Sequence, residues 1–152
     1  MRALIQRVTQ ASVSIDNSTI SEIKQGLLIL VCAMNDDDEE DAEKMALKIS
    51  KIRIFNDEAG KLNKSIIDIN GEALVVSQFT LAADTSRGNR PGFSYAAHPE
   101  QGEKLYEYFT QQLQNQNINC KKGVFGGDMK VSLVNDGPIT VSYTHLTLPT
   151  TY

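Results

Sequence analysis

The stretch Met1-Arg2-Ala3-Leu4-Ile5-Gln6-Arg7-Val8 alternates apolar and polar positions with the period of a half-buried strand. Strand-like segments continue to Cys32, with turns predicted at Asp16-Asn17 and around Lys24-Gln25-Gly26, and end in the apolar run Leu27 to Val31. The period then changes. Ala42, Met45, Ala46, Ile49 and Ile52 recur at helical spacing behind the acidic run Asp36 to Asp41. Acidic side chains at a helix start suit its dipole, so this run reads as a cap rather than a cation site.

Ile52 to Phe55 predicts a short strand before the turn Asn56 to Gly60. Ala73-Leu74-Val75-Val76 is apolar at every position, which predicts a strand buried on both faces that delivers Ser77 at its end. A loop from Ala83 to Pro99, rich in Gly, Ser, Arg and Pro, precedes a helix through Leu105, Tyr106, Phe109 and Leu113. Long loops inside compact domains are more often functional than not. Beyond Cys120, Met129, Val131 and Leu133 alternate with polar residues up to the turn Asn135-Asp136-Gly137-Pro138. With no internal repeat or linker, the pattern predicts a single α+β domain, a largely antiparallel β-sheet or barrel carrying two main helices.

Composition narrows the class. A chain of 152 residues buries about 70% of the surface its unfolded form exposes. Its 41% hydrophobic and 22% charged content is ordinary for a soluble protein, and no apolar run has the length of a membrane span. The first residues lack an export pattern. Cys32 and Cys120 read as free thiols rather than a disulfide framework, so a reducing cytoplasm is expected. The net charge of −4 and pI near 5.1 argue against a protein that coats nucleic acid, although Arg87, Arg90, Lys121 and Lys122 can supply a local basic patch or only a solvated face.

Candidate chemistry concentrates in Ser77-Gln78-Phe79-Thr80-Leu81 and Asn135-Asp136-Gly137-Pro138-Ile139-Thr140, where turn chemistry follows a strand and backbone amides become free. Ser77 and Thr80 as nucleophiles would need a base, and His98 and His145 are the histidines available. Both histidines and both cysteines lack short ligand spacing, so no metal is expected. Asp68, Asp84, Asp128 and Asp136 sit where turns and caps favour Asp. Gly123-Val124-Phe125-Gly126-Gly127 lacks the Lys-Ser or Lys-Thr of a phosphate loop and reads as a tight connection. What remains is a site built largely from backbone, with Gly137-Pro138 notable because X-Pro bonds can be cis.

These two segments resemble the D-aminoacyl-tRNA deacylases of the bacterial and eukaryotic type. The likeness extends from Met1 to Val8 through Lys51 to Phe55, Gly71 to Leu81, Asn89-Arg90-Pro91-Gly92-Phe93 and Gly123-Val124-Phe125-Gly126 to Thr140. It implies a cofactor-free homodimeric hydrolase that cleaves the ester between a D-amino acid, or glycine, and the 3′ end of tRNA. It also implies that Ser77, Gln78, Phe79 and Thr80 form the pocket floor, while Gly137 and Pro138 reach in from the other subunit. Arg7, Pro91, Phe93 and Met129 are the further substrate-binding residues the resemblance implies, Arg7 by fixing the carbonyl orientation of the Gly-Pro segment; for Arg7 the alternative is a surface charge at a strand edge. The mechanism it implies uses backbone amides near Phe79 and Thr80 as oxyanion donors and the ribose 2′-hydroxyl to activate water, with Thr80 as covalent nucleophile in second place. Chirality follows by rejection of an L side chain, which glycine escapes. No membrane or DNA partner is expected.

Departures are small-for-small, with Gly92 and Gly127 standing where relatives often carry Ser and Ala. Residues 1–140 read as the deacylase domain. Residues 141–152 do not resemble the family's ending and read like translated sequencing adaptor, so His145 is given no catalytic role. The competing functions are a dimeric nucleic-acid-binding module without turnover and an esterase for small metabolites.

Overall fold

The computed structural model describes residues 1–144 of the chain. Its elements are β1 (Arg2–Ile15), β2 (Ser18–Ile23), β3 (Gly26–Cys32), α1 (Glu39–Lys51), β4 (Phe55–Asn56), β5 (Leu62–Lys64), β6 (Glu72–Ser77), a 3₁₀ turn (Phe79–Ala82), α2 (Pro99–Asn115), β7 (Asn119–Lys122) and β8 (Lys130–Thr144). The long first strand organises the sheet. β1 pairs antiparallel with β2, β3 and β8, and β6 then pairs parallel with both β3 and β7. Parallel neighbours need long crossovers. The crossover from β3 to β6 contains α1, and that from β6 to β7 contains α2, so the predicted α+β domain holds a mixed, nearly closed sheet.

Each face of the sheet has its own apolar partner. Leu27, Ile29 and Val31 of β3 and Ala73 and Val75 of β6 pack on Met45 and Ile49 of α1 and on Leu105 and Phe109 of α2. The alternate residues Leu28, Leu74 and Val76 face an inner cluster with Val8, Val13 and Ile23, against which Met129, Val131 and Leu133 pack. Both central strands are therefore apolar at nearly every position, as their sequences predict.

The acidic run is a cap. Asp38 accepts from the Asp41 amide at 3.1 Å while the Asp41 carboxylate accepts from the Asp38 amide at 3.0 Å. Ile52 does not continue the helix; its backbone turns extended at ψ 128. Nor does Ile52 begin a strand, because only Phe55–Asn56 pairs, with β5. The predicted turn at Asp16-Asn17 is present with φ of 50 and 65.

β8 differs more. The predicted turn at Asn135-Asp136-Gly137-Pro138 does not end the strand: Val8 pairs with Asn135 and Gln6 with Thr140, so residues 136–139 form an excursion from one long strand. Pairing resumes beyond it, Val141 facing Ile5 and Tyr143 facing Ala3. His145 and the remainder of the predicted tail lie outside the described residues.

Candidate active site

Ser77 stands at the carboxyl end of β6, the central strand flanked by parallel neighbours, where ligand crevices form in such sheets. The amide of Gln78 still bonds the Val31 carbonyl at 2.9 Å, and the chain then leaves the sheet with φ −140 and ψ 83. Phe79–Ala82 coil into the 3₁₀ turn, closed by Leu81 N–H to Gln78 C=O at 3.2 Å and Ala83 N–H to Thr80 C=O at 3.1 Å. The first amides of a helical turn have no partner within it. Those of Phe79 and Thr80 find no acceptor among the described residues.

Ser77, Gln78 and Phe79 line a pocket of about 770 Å³, and Phe93 and Met129 join them. Phe79 is 59% exposed, which is unusual for a phenylalanine, and its ring meets Phe93 edge-on with centroids 5.0 Å apart. Thr80 is adjacent to this wall rather than in it, and its Oγ1 accepts a hydrogen bond from Gln78 Nε2. Pro91 is exposed on the loop and lies outside the lining.

Asn35, His98, Phe125 and Asp128, which the sequence does not assign to the site, also line the pocket. Phe125 belongs to the Gly-rich stretch read as a connection, so that stretch is also a wall. His98 sits just before Pro99, the first residue of α2. It lines the same pocket as Ser77, but no hydrogen bond joins them among the described residues. Nor do the described residues contain a cluster of His, Cys, Asp and Glu able to hold a metal ion.

Gly137 and Pro138 lie elsewhere. Both are exposed, neither belongs to the pocket lining, and the bond between them is cis. Asn135 spans the excursion, its Oδ1 accepting from the Ile139 amide at 2.8 Å and its Nδ2 donating to Thr140 Oγ1 at 2.9 Å. Gly137 adopts φ 136, and a Cβ there would stand 2.9 Å from Ile139 Cγ1 and 3.3 Å from Arg7 Nη2. Only glycine fits.

Arg7 is not a surface charge. It is 7% exposed, and its Nε donates to the Asp136 carbonyl at 2.9 Å while Nη1 donates to the Ile54 carbonyl at 2.9 Å and to Asn56 Oδ1 at 3.1 Å. A buried guanidinium is tolerated because these acceptors, with Asp136 Oδ2 at 3.6 Å, replace water. Arg7 therefore anchors the start of the Gly-Pro segment to β1.

The chain is similar to known proteins over nearly its whole length. A D-aminoacyl-tRNA deacylase of Ruegeria pomeroyi is 60% identical over 141 residues, covering 93% of this chain and 97% of its own. One of Cereibacter sphaeroides shows the same identity and coverage. Among solved structures, a c-Myc DNA Unwinding Element Binding Protein superposes with a TM-score of 0.91 at 39% identity, covering 96% of this chain and 99% of its own. A probable eukaryotic D-amino acid tRNA deacylase shares the fold at a TM-score of 0.81 and 15% identity. The D-Tyr-tRNA(Tyr) deacylase family profile matches residues 4–144, and with relatives this similar over nearly their whole length the chain belongs to that family of hydrolases.

Proposed function

We propose that this chain, as a cytoplasmic homodimer, hydrolyses the ester between a D-amino acid or glycine and the terminal adenosine of tRNA. The observation that carries the reading is the separation of the two candidate segments within one chain. Ser77, Gln78 and Phe79 line the pocket, whereas the exposed Gly137-Pro138 segment, braced by Arg7 and Asn135, lies outside its lining. A second copy supplies the missing wall: its Gly137 and Pro138 carbonyls receive the substrate's ammonium group and leave no room for an L side chain. Glycine has no side chain to reject, so glycyl-tRNA is also a substrate.

Little acid-base machinery is needed. An aminoacyl ester is already activated, so orientation and stabilisation of developing charge supply most of the catalysis. Water, assisted by the ribose 2′-hydroxyl, adds to the ester carbonyl; the amides of Phe79 and Thr80 stabilise the oxyanion. The intermediate collapses with the ribose oxygen leaving and taking a proton, which releases free amino acid and tRNA. Thr80 lines the approach without attacking, since its hydroxyl is engaged by Gln78 rather than by a base.

Matched D- and L-aminoacyl-tRNA provide the test, with Thr80→Val alongside. Selective loss of the D-ester, retained within about threefold in Thr80→Val, is expected; a drop of about a hundredfold or more in Thr80→Val assigns the nucleophile to Thr80 instead. One observation favours a second reading, a nucleic-acid-binding module: the structural neighbour named as a DNA unwinding element binding protein. Steep salt-dependent DNA binding without turnover of either ester would support it.

A further inference from the structure

Arg2 and Cys32 meet the 3₁₀ turn beside the pocket and take no part in the chemistry above. They are register partners across the antiparallel pair of β1 and β3, so their side chains leave the sheet on the same face. Both reach the 3₁₀ turn. Arg2 Nη1 donates to the Leu81 carbonyl at 2.9 Å, and Cys32 Sγ lies 3.7 Å from the Phe79 carbonyl and 3.3 Å from that of Ala33. One cross-strand pair thus meets alternate carbonyls of the turn that carries Phe79 and Thr80, Arg2 by a full hydrogen bond and Cys32 by a thiol whose one proton is shared between the Ala33 and Phe79 carbonyls.

A turn this short needs such support. The Phe79–Ala82 segment holds itself with 3₁₀-type bonds, a class weaker than α-helical ones, and isolated turns of this kind are unstable because nucleation fixes several dihedrals for one bond. The Leu81 carbonyl faces out of the end of the turn, where a cation is favourable and a carbonyl otherwise has no partner. The guanidinium supplies both a charge-assisted bond and a link to a chain segment 79 residues away. Burial pushes the Cys32 thiol above its ordinary pKa, so it remains a neutral donor beside that guanidinium.

We propose that the cross-strand pair Arg2 and Cys32 is a positioning device that sets the place of Phe79 and Thr80 at the pocket, acting through the Leu81 and Phe79 carbonyls. This rests on the functional reading given above. Arg2 carries most of the effect, because a charged hydrogen bond is much stronger than one from a thiol.

Amide hydrogen exchange of the full chain, beside deacylation kinetics with D-aminoacyl-tRNA, tests this. Arg2→Met keeps the aliphatic stem and removes the donors. Exchange at the Leu81 and Ala83 amides is expected to quicken about tenfold, with Val75 and Val76 of β6 unchanged. The kcat is expected to fall about tenfold with KM held within roughly twofold, and Arg2→Lys to recover most of both. Unchanged exchange in the turn overturns the proposal, as does faster exchange with an unchanged kcat. Equal loosening of β6 also overturns it, since Arg2 would then support the sheet at large. Should Arg2→Met not fold, Cys32→Ala carries the same readouts in the same direction. Wild-type protein that turns over no D-aminoacyl-tRNA removes the functional reading, and exchange at Leu81 and Ala83 then decides the proposal alone.

Discussion

Arg7 Nε and the Asp136 carbonyl oxygen, 129 residues apart in sequence, are joined by a 2.9 Å hydrogen bond that ties the Gly-Pro excursion to the first strand. The same guanidinium holds the Ile54 carbonyl, so one side chain joins three segments. Arg7→Ala leaves both carbonyls without their donor and is expected to cost about 2–4 kcal/mol, read from urea midpoints. Arg7→Lys is expected to recover less than half of that loss, because a single ammonium cannot span the same acceptors. Equal stability of all three proteins would show that the anchor is not structural.

Gly26 lies where the backbone of the neighbouring strand leaves no space for a side chain. A Cβ there would fall 1.8 Å from the Glu72 carbonyl oxygen on the adjacent parallel strand. Gly26→Ala is therefore expected to destabilise by about 3 kcal/mol or more, measured by thermal denaturation. Gly92→Ser serves as the contrast: a Cβ at Gly92 meets only the Asp84 carbonyl oxygen, at 3.9 Å, and the change is expected to stay within about 0.5 kcal/mol.

Cys120 predicts a pH dependence. Burial pushes its thiol from the ordinary 9.0 up to about 12. Between those values the unfolded chain has released a proton that the folded chain keeps, so stability falls as pH rises through that window and is fully present below 9.0. Urea midpoints from pH 8 to 11 are expected to decline less steeply in Cys120→Ala than in the wild type. Alkylation of native protein at pH 8 is expected to be slow, since the thiolate is scarce.

Arg87 and Arg90 are exposed on the loop that leads into Phe93 and have no ion pair among the described residues. Lys121 and Lys122 are instead drawn to Glu72 and Glu107. Of the four residues that could form a basic patch, the two arginines are thereby the ones without an ion pair among the described residues. If the substrate is tRNA, Arg87→Ala and Arg90→Ala should each raise KM and reduce the slope of log kcat/KM against log salt by about 1. A slope unchanged in both variants would place the phosphate contacts elsewhere.

Local chemistry sufficed wherever neighbours in sequence are neighbours in space. The acidic run capping α1, the turn at Asp16-Asn17, the helical stripe through Leu105 and Phe109 and the doubly buried β6 all follow from periods and propensities that act over a few residues. That Ser77 to Phe79 line a pocket was legible for the same reason, because an all-apolar strand running into small polar residues marks the mouth of a buried sheet. Tertiary structure alone decided the parallel placement of β6, the passage of β8 through its Gly-Pro excursion, the burial of Arg7 and the recruitment of Asn35, His98 and Phe125 to one pocket. A strand's pattern states which faces are buried but not which strand lies beside it, and an arginine's acceptors are carbonyls that exist at every residue. Only the pairing of distant segments selects which carbonyls come within reach.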